Sequence, residues 1–254
     1  FIKYIGDETP EEPGHLFDYL IRNTNRVMRS SLAGAVAGTI NLMNGLFKGH
    51  SISESGSDAA IACEKLFLYA LTWSLGGLLE DEDRGKFDQY VRSVDSNGMM
   101  PECEEGETIY EYYVNTSTND WSKWQAPNWE YPQTEHLDFS NILVPTMDSV
   151  RALYVVGLMH SQMKPILLTG GPGTAKTSSI QMFSNEFDPS EMGLKTINFS
   201  SASTMMSFQI TVEGTLDKRG GKTFGPPNGR KLTVFIDDLS MPEINEWGDQ
   251  PTVE

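Results

Sequence analysis

The chain has 254 residues, of which 39% are hydrophobic and 21% charged, and its formal net charge is -16. This composition is typical of a globular protein with enough chain for one large or two modest domains. The negative charge argues against nucleic acid as a partner, and no apolar run approaches the roughly 20 residues that would span a membrane. We therefore expect no nucleic-acid partner and no membrane segment.

Residues 15–93 show the periodicity of consecutive helices. Apolar residues recur at helical spacing in one of them: Leu32, Val36, Ile40, Met43 and Phe47. A broadly apolar helix follows and ends near Gly76 and Gly77. Broad apolar faces on successive helices predict a small helical bundle, to which we assign residues 1–97.

Residues 98–141 differ from the bundle in composition. Acidic residues come first, at positions 102, 104, 105 and 107. Aromatic residues then flank polar turns: Tyr110, Tyr112, Tyr113, Trp121, Trp124 and Trp129. This arrangement predicts a connector that contains a β-hairpin with aromatic cross-strand packing. A base-stacking platform is the alternative, and the neighbouring acidic residues argue against it.

Residues 142–254 alternate between predicted helices and strands. Thr146 is a predicted N-cap for an amphipathic helix, with Asp148 in its first turn. The elements predicted after it are a strand at 166–168, a strand at 195–200, a helix around 204–218, a turn at 225–229 that suits the tip of a hairpin, and a strand at 232–236. This alternation predicts an α/β fold with a parallel sheet.

A glycine-rich segment with the pattern of a phosphate-binding loop follows the first of these strands. Its glycines let backbone amides point at an anion, Lys176 would reach the outer phosphates, and the Thr177 hydroxyl would bind Mg²⁺. The candidate nucleotide-binding residues are Gly171, Pro172, Gly173, Thr174, Ala175, Lys176, Thr177 and Ser178. A surface turn is the alternative, but it does not explain Lys-Thr so soon after a buried strand.

Ala175 departs from the phosphate-loop pattern, which has glycine before the lysine. Alanine is the smallest residue with a Cβ atom. We therefore expect the loop to form if Ala175 takes a negative φ.

Two carboxylates follow the last predicted strand. Ligands of parallel α/β sheets bind at the carboxyl ends of strands, so Asp237 is a candidate Mg²⁺ ligand, usually through water. Asp238 is the candidate general base for the attacking water. A solvated strand end would explain the two residues taken alone, but together with the phosphate loop they predict a Mg²⁺-nucleotide site.

Several segments together resemble the dynein heavy chains, which are AAA+ motors. They read NFSSA at 198–202, DKR at 217–219, GPP at 225–227, VFIDD at 234–238 and MPEINEWGDQ at 241–250. This run is similar to the third AAA+ module of axonemal dyneins, and LTWSLGG at 71–77 is similar to the end of the second module. We therefore expect an excerpt from a longer polypeptide.

The resemblance implies a ring of six AAA+ modules, in which the third binds nucleotide and regulates the first, whose hydrolysis drives movement along microtubules. The implied cofactors are ATP or ADP and Mg²⁺, with the adenine against Val144, Pro145 and Thr146. The implied partners are neighbouring modules of the same heavy chain, dynein intermediate and light chains, and microtubules through distant parts of the chain. The implied location is the cytoplasm, in the cytoskeletal axoneme of a cilium or flagellum.

The resemblance also implies a division of the chain. Residues 1–97 would be the helical small subdomain of the preceding module, residues 98–141 a connector, and residues 142–254 the N-terminal part of a P-loop large subdomain.

Asp238 stands where active AAA+ enzymes usually have glutamate. Because aspartate is one methylene shorter, its carboxylate would lie about an ångström short of the attacking water, which predicts slow hydrolysis or tightly held ADP. Two other functions remain open. A free-standing P-loop enzyme such as a kinase would need an acceptor site and a lid, and neither is visible. A structural module with a decayed nucleotide site disagrees with intact Lys176, Thr177 and Asp237.

Overall fold

The computed structural model describes residue 4, residues 16–50, residue 52 and residues 56–131 and 142–254. The chain divides into two compact units, Phe1–Lys176 and Thr177–Glu254. Part of the predicted connector, residues 132–141, lies outside the described residues, and the division at 97 and 141 stays a prediction. Within the described ranges, none of the helices combines the length and the apolar character needed to cross a bilayer.

The first unit is mostly helical, which confirms the predicted bundle. Its helices are α1 (Leu16–Asn23), α2 (Leu32–Gly49), α3 (Ser57–Ser74), α4 (Asp81–Val94) and α5 (Met147–His160). Short 3-10 helices lie at Gly76–Leu78 and Ile109–Glu111. Helix α3 is buried from Leu66 to Thr72, because neighbouring elements cover all its faces. It is therefore the centre of the core.

Helix α5 packs closely against helix α2. The Gln162 side chain donates a hydrogen bond of 2.7 Å from Nε2 to the Asn41 carbonyl. Gly45 allows this approach, because an added Cβ atom would lie only 3.0 Å from the Leu158 carbonyl oxygen. The helix that precedes the phosphate loop is therefore part of the same compact unit as the helical bundle.

An antiparallel hairpin joins strands β1 (Tyr112–Val114) and β2 (Trp121–Lys123). The rings of Tyr113 and Trp124 stack with centroids 4.3 Å apart, and Trp124 meets Tyr154 of α5 edge-on at 5.3 Å. The predicted hairpin with aromatic packing is confirmed. Its aromatic residues also attach the hairpin to α5.

The second unit contains a parallel pair of strands. Its elements are α6 (Lys176–Asn185, which starts at the unit boundary), β3 (Met192–Asn198), α7 (Met205–Glu213), β4 (Asp217–Gly220), β5 (Thr223–Gly225) and β6 (Lys231–Asp237), with a 3-10 helix at Pro227–Gly229. Strands β3 and β6 run parallel, with Asn198 opposite Asp237 at their carboxyl ends. The predicted α/β class with a parallel sheet is confirmed.

The prediction of a strand at 166–168 is wrong, because the structure forms no strand there. This segment belongs to none of the three sheets that the described residues form. Ile166 and Leu167 are 38% and 55% exposed, so they are not a buried run. An apolar run becomes a strand only when a neighbouring strand satisfies its backbone groups, and among the described strands none pairs with it.

The hairpin predicted around 225–229 lies earlier in the chain. Strands β4 and β5 pair antiparallel, and the chain reverses between them at Gly220 and Gly221, whose φ angles are +158° and +56°. Glycine adopts such angles without steric cost. Helix α7 accordingly ends at Glu213 and does not continue to 218, because residues 217–220 are used in the hairpin.

Candidate nucleotide-binding site

The phosphate loop has a backbone suited to an anion. Gly170, Gly173 and Ala175 have φ angles of +157°, +77° and +58°. Alternation of left-handed and right-handed residues points successive N–H groups into one concavity, which is how backbone nests bind phosphate. Cβ atoms added at Gly171 or Gly173 would meet nothing within 4 Å, so the space beside the loop is open.

The Lys176 ammonium lies against this loop. Lys176 is the first residue of α6, and its Nζ atom donates to the Gly170 carbonyl at 2.9 Å and to the Gly171 carbonyl at 2.6 Å. The Thr174 hydroxyl lies 3.3 Å from the same Nζ. Phosphate oxygens are stronger acceptors than carbonyls, because both partners are then charged. A bound nucleotide would therefore take over these hydrogen bonds.

The other loop positions are placed as follows. Pro172 and Thr174 are exposed, and the Thr174 hydroxyl donates to the Gly171 carbonyl at 2.9 Å. Ser178 is half-buried in the first turn of α6. The loop is thus held by its own side chains.

The expectation for Ala175 was a negative φ, and the structure contradicts it with +58°. The Cβ atom of an L-residue crowds the following carbonyl in this conformation, at a cost of about 1–2 kcal/mol. The turn of the loop requires the left-handed angle whichever residue is present. Ala175 is therefore a strained position that glycine would relieve.

We expect Ala175→Gly to raise the free energy of unfolding by about 1 kcal/mol, because glycine adopts the left-handed angle without the strain that alanine carries. The midpoint of urea unfolding checks this result. Ala37→Gly is the matched control: Ala37 is exposed within α2, where glycine should lower stability by about 1 kcal/mol. A loss of stability on Ala175→Gly would contradict the assignment of strain.

Thr177 and Asp237 meet in the second unit. The Thr177 hydroxyl donates to Asp237 Oδ2 at 2.9 Å, and the Asp238 backbone N–H donates to Asp237 Oδ1 at 3.0 Å. Asp237 ends strand β6, and its carbonyl accepts from the Phe199 N–H at 3.0 Å. Each carboxylate oxygen of Asp237 is therefore held by a hydrogen bond, and Oδ2 lies beside the Thr177 hydroxyl. A hydroxyl and a carboxylate in contact are the protein ligands that Mg²⁺ takes in phosphate-loop proteins.

Asp238 lies just beyond the end of β6 with a φ of +53°, which aspartate tolerates better than most residues. Its carbonyl accepts from the Met241 N–H at 2.9 Å. Its side chain is exposed, and among the described residues none donates a hydrogen bond to its carboxylate. This carboxylate is therefore accessible to solvent.

The candidate adenine segment precedes α5. Val144 is 49% exposed, and Pro145 is half-buried. The predicted N-cap is confirmed: Thr146 Oγ1 accepts from the Ser149 N–H at 3.2 Å, and Ser149 Oγ accepts from the Thr146 N–H at 2.8 Å. The Thr146 carbonyl also accepts from the Val150 N–H at 3.0 Å and from Ser149 Oγ at 2.8 Å. Because these bonds occupy the hydroxyl, the N–H and the carbonyl of Thr146, this residue would meet an adenine ring by van der Waals contact.

Asn198 was not selected from the sequence as a site residue. It ends β3 directly opposite Asp237, so both side chains face the same side of the sheet. The strand predicted at 195–200 runs past Asn198, so nothing in the sequence indicated that this residue ends the strand.

The residues present fit a Mg²⁺-nucleotide. Among the residues that the structure describes, no three or more His, Cys, Asp or Glu side chains lie close enough together to bind a metal ion by themselves. Mg²⁺ bound with a nucleotide does not need such a group, because one or two carboxylates and the phosphates suffice. Within the second unit the Thr177–Asp237 contact supplies the protein ligands, and in the first unit the loop, which directly precedes Thr177 in the chain, has a backbone suited to phosphates.

Comparison with known proteins covers nearly the whole chain. Residues 131–254 match a family described as the P-loop containing dynein motor region, and residues 14–126 match the dynein heavy chain AAA lid domain. The chain is 44% identical over 232 residues to the dynein gamma chain of the flagellar outer arm of Chlamydomonas reinhardtii, a match that covers 90% of this chain and 5% of that protein.

Two mammalian relatives give similar matches. Identity is 41% over 242 residues to dynein axonemal heavy chain 8 of Homo sapiens, covering 94% of this chain and 5% of that protein. It is 37% over 243 residues to dynein axonemal heavy chain 5 of Rattus norvegicus, covering 94% of this chain and 7% of that protein. The chain thus spans a small part of the length of these relatives. With a dynein lid followed by a dynein P-loop region, it belongs to the dynein heavy chain family.

Proposed function

We propose that this chain is part of the motor ring of an axonemal dynein heavy chain, in which it supplies a regulatory AAA+ module that binds ATP or ADP with Mg²⁺. The observation that carries the proposal is the phosphate loop with Lys176 folded onto its carbonyls, together with the Thr177–Asp237 contact. The names of the relatives, which are flagellar and axonemal dyneins, support the assignment to that class of motor.

Each part of the site has a distinct role in this proposal. Backbone N–H groups of residues 171–176 and the Lys176 ammonium hold the phosphates. Thr177 and Asp237 hold Mg²⁺, which when bound neutralises phosphate charge. Residues 144–146 contact the adenine, and Asp238 accepts a proton from the attacking water.

The proposed surroundings follow from the same assignment. The helical bundle is the small subdomain of the preceding module, the hairpin segment is a connector, and residues 142–254 begin the next large subdomain. The partners are neighbouring AAA+ modules of the same heavy chain, intermediate and light chains, and microtubules reached through distant parts of the chain. The location is the ciliary or flagellar axoneme.

Hydrolysis at this site is slow in our proposal. The Asp238 carboxylate is exposed and carries one methylene less than the glutamate of active AAA+ sites. A base displaced by about an ångström lowers the rate by up to about a hundredfold. The site would then spend most of its cycle with nucleotide bound, as suits a regulatory module.

We expect Asp238→Glu to raise turnover at this site about tenfold, because the longer side chain brings the carboxylate to the water. Single-site turnover is measured in a heavy chain whose other nucleotide sites are silenced. Asp217→Glu, at another exposed aspartate of the second unit, is the control and should leave the rate unchanged. If the unmodified protein hydrolyses ATP rapidly at this site and Asp238→Asn abolishes this activity, the proposal of slow hydrolysis is refuted.

Retention of nucleotide distinguishes the proposal from its alternatives. After gel filtration in Mg²⁺ and denaturation of the protein, chromatography should detect ADP or ATP released from this site. A free-standing kinase would exchange its nucleotide freely, and a decayed structural module would hold none. Absence of nucleotide at this site, together with no uptake of added ATP, would reject the proposed function.

A further inference from the structure

The hairpin β4–β5 (residues 217–225) is exposed along both strands. All four residues of β4 are exposed, as are Thr223 and Phe224 of β5. The two strands form a sheet of their own and pair with no other described strand. The hairpin plays no part in the nucleotide site derived above, so its exposed surface needs a separate explanation.

The basic charge of the second unit is concentrated at this hairpin and just after it. Between residues 177 and 254, all basic residues except Lys195 fall in the range 218–231. No acidic residue lies between Asp217 and Asp237. In a chain with a net charge of -16, this is a local reversal of sign. A segment of this kind attracts carboxylates that the rest of the chain repels.

The hairpin is stiffened by one of its own cations. Arg219 Nη2 donates to the Pro226 carbonyl at 2.8 Å, and the guanidinium lies so close to Gly225 that an added Cβ atom would be 2.6 Å from Nε. Arg219 is thus committed to bracing the hairpin. Lys218 and Lys222 form no ion pair with any described residue and stay available to a partner.

An exposed aromatic ring lies beside these cations. Phe224 is 58% exposed, and it pairs directly with Lys218 across the hairpin, so the two side chains share one face. Exposed aromatic residues next to cations are typical of protein interfaces, in which the ring supplies contact area and the cations supply specificity.

We propose that the β4–β5 hairpin binds an acidic polypeptide segment that also carries an aliphatic or aromatic side chain. Carboxylates of the segment pair with Lys218 and Lys222, and its apolar side chain packs on Phe224. Nucleic acid combines negative charge with flat rings in a similar way. It is disfavoured because a duplex carries about one charge per 1.7 Å, and this density meets far stronger repulsion from a chain of net charge -16 than the few carboxylates of a peptide segment do.

Binding of two labelled probes to the intact protein tests this proposal. One probe is a fluorescein-labelled peptide of alternating glutamate and leucine, and the other is oligo(dT) of equal length. Fluorescence anisotropy at physiological ionic strength gives both affinities. Lys218→Glu/Lys222→Glu should weaken peptide binding about tenfold, and Phe224→Ala about fivefold. The matched control is Arg22→Glu/Lys48→Glu, which makes the same change of charge at exposed positions of α1 and α2.

The expected result is peptide binding that the control variant retains and the hairpin variants lose, with unchanged melting temperatures and unchanged nucleotide affinity. Tighter binding of oligo(dT) with the same dependence on the hairpin would replace the proposal with a nucleic-acid site. Equal losses in the hairpin and control variants, or no binding of the peptide, would overturn it. Because nucleotide affinity is measured separately, failure here leaves the nucleotide site unaffected.

Discussion

Replacing Gly76 with alanine should destabilise the first unit by about 3 kcal/mol, the upper end of the usual cost of overpacking a core. Gly76 is buried in the 3-10 helix after α3. A Cβ atom there would overlap the Tyr110 hydroxyl and lie 3.1 Å from Tyr110 Cζ and 3.3 Å from Phe87 Cδ1. Both rings are fully buried, so neither can move aside cheaply. The midpoint of urea unfolding measures the loss.

Two further variants show whether this steric clash is the cause. Gly77→Ala is the matched control, because its added Cβ atom would meet only Trp73 Cε3 at 3.7 Å, an ordinary contact. Tyr110→Phe removes a buried hydroxyl that has no partner among the described residues, and it should not destabilise the protein. In the Tyr110→Phe background, Gly76→Ala should lower the free energy of unfolding by at least about 1 kcal/mol less than it does in the unmodified protein. Equal effects of Gly76→Ala and Gly77→Ala would contradict this account.

Lys176→Ala should weaken nucleotide binding about a hundredfold or more. The ammonium now donates to the carbonyls of Gly170 and Gly171, which places it above the open loop. Two charge-assisted hydrogen bonds to phosphates contribute about 1.5–3 kcal/mol each, and every 1.4 kcal/mol is a factor of ten in affinity. Photolabelling with azido-ATP followed by peptide mapping reports this segment alone, even if the heavy chain carries other nucleotide sites.

Lys164→Ala is the control for that experiment. Lys164 is an exposed lysine between α5 and the loop, so its loss removes the same charge without removing a loop contact. Labelling should then stay near that of the unmodified protein. If Lys176→Ala labels as strongly as Lys164→Ala, the loop does not bind phosphates through this lysine.

Local motifs in the sequence predicted their own geometry well. The N-cap at Thr146 and the strand predicted at 232–236, which the structure extends to Asp237, each depend on a few consecutive residues. Their physical causes, which are capping and burial, act over the same short range. This is why the candidate site could be selected residue by residue.

Features that depend on distant partners could not be predicted in this way. The apolar run at 166–168 lacks a paired strand among the described residues, and apolar character alone does not supply one. Two glycine-rich turns, at Gly220-Gly221 and at 225–229, carry equal signals for a hairpin tip, and the pairing of β4 with β5 decides between them. Gly76 has the sequence context of a helix end, whereas its buried surroundings come from Tyr110 in a later segment.

The φ angle of Ala175 was predicted wrongly for a third reason. Alanine prefers a negative φ, and the sequence holds no sign that the loop imposes +58° there. The requirements of the whole turn override the preference of one residue at a modest cost in free energy. Such positions are expected at binding loops, where the conformation that suits the ligand takes precedence.

An experimental structure of the heavy chain with ATP and Mg²⁺ tests the central claim most directly. The account predicts that Lys176 Nζ leaves the Gly170 and Gly171 carbonyls and lies within hydrogen-bond distance of a phosphate oxygen. It also predicts metal density beside Thr177 and Asp237. A well-ordered loop that keeps both carbonyl contacts, with no phosphate beside residues 171–176, would contradict it.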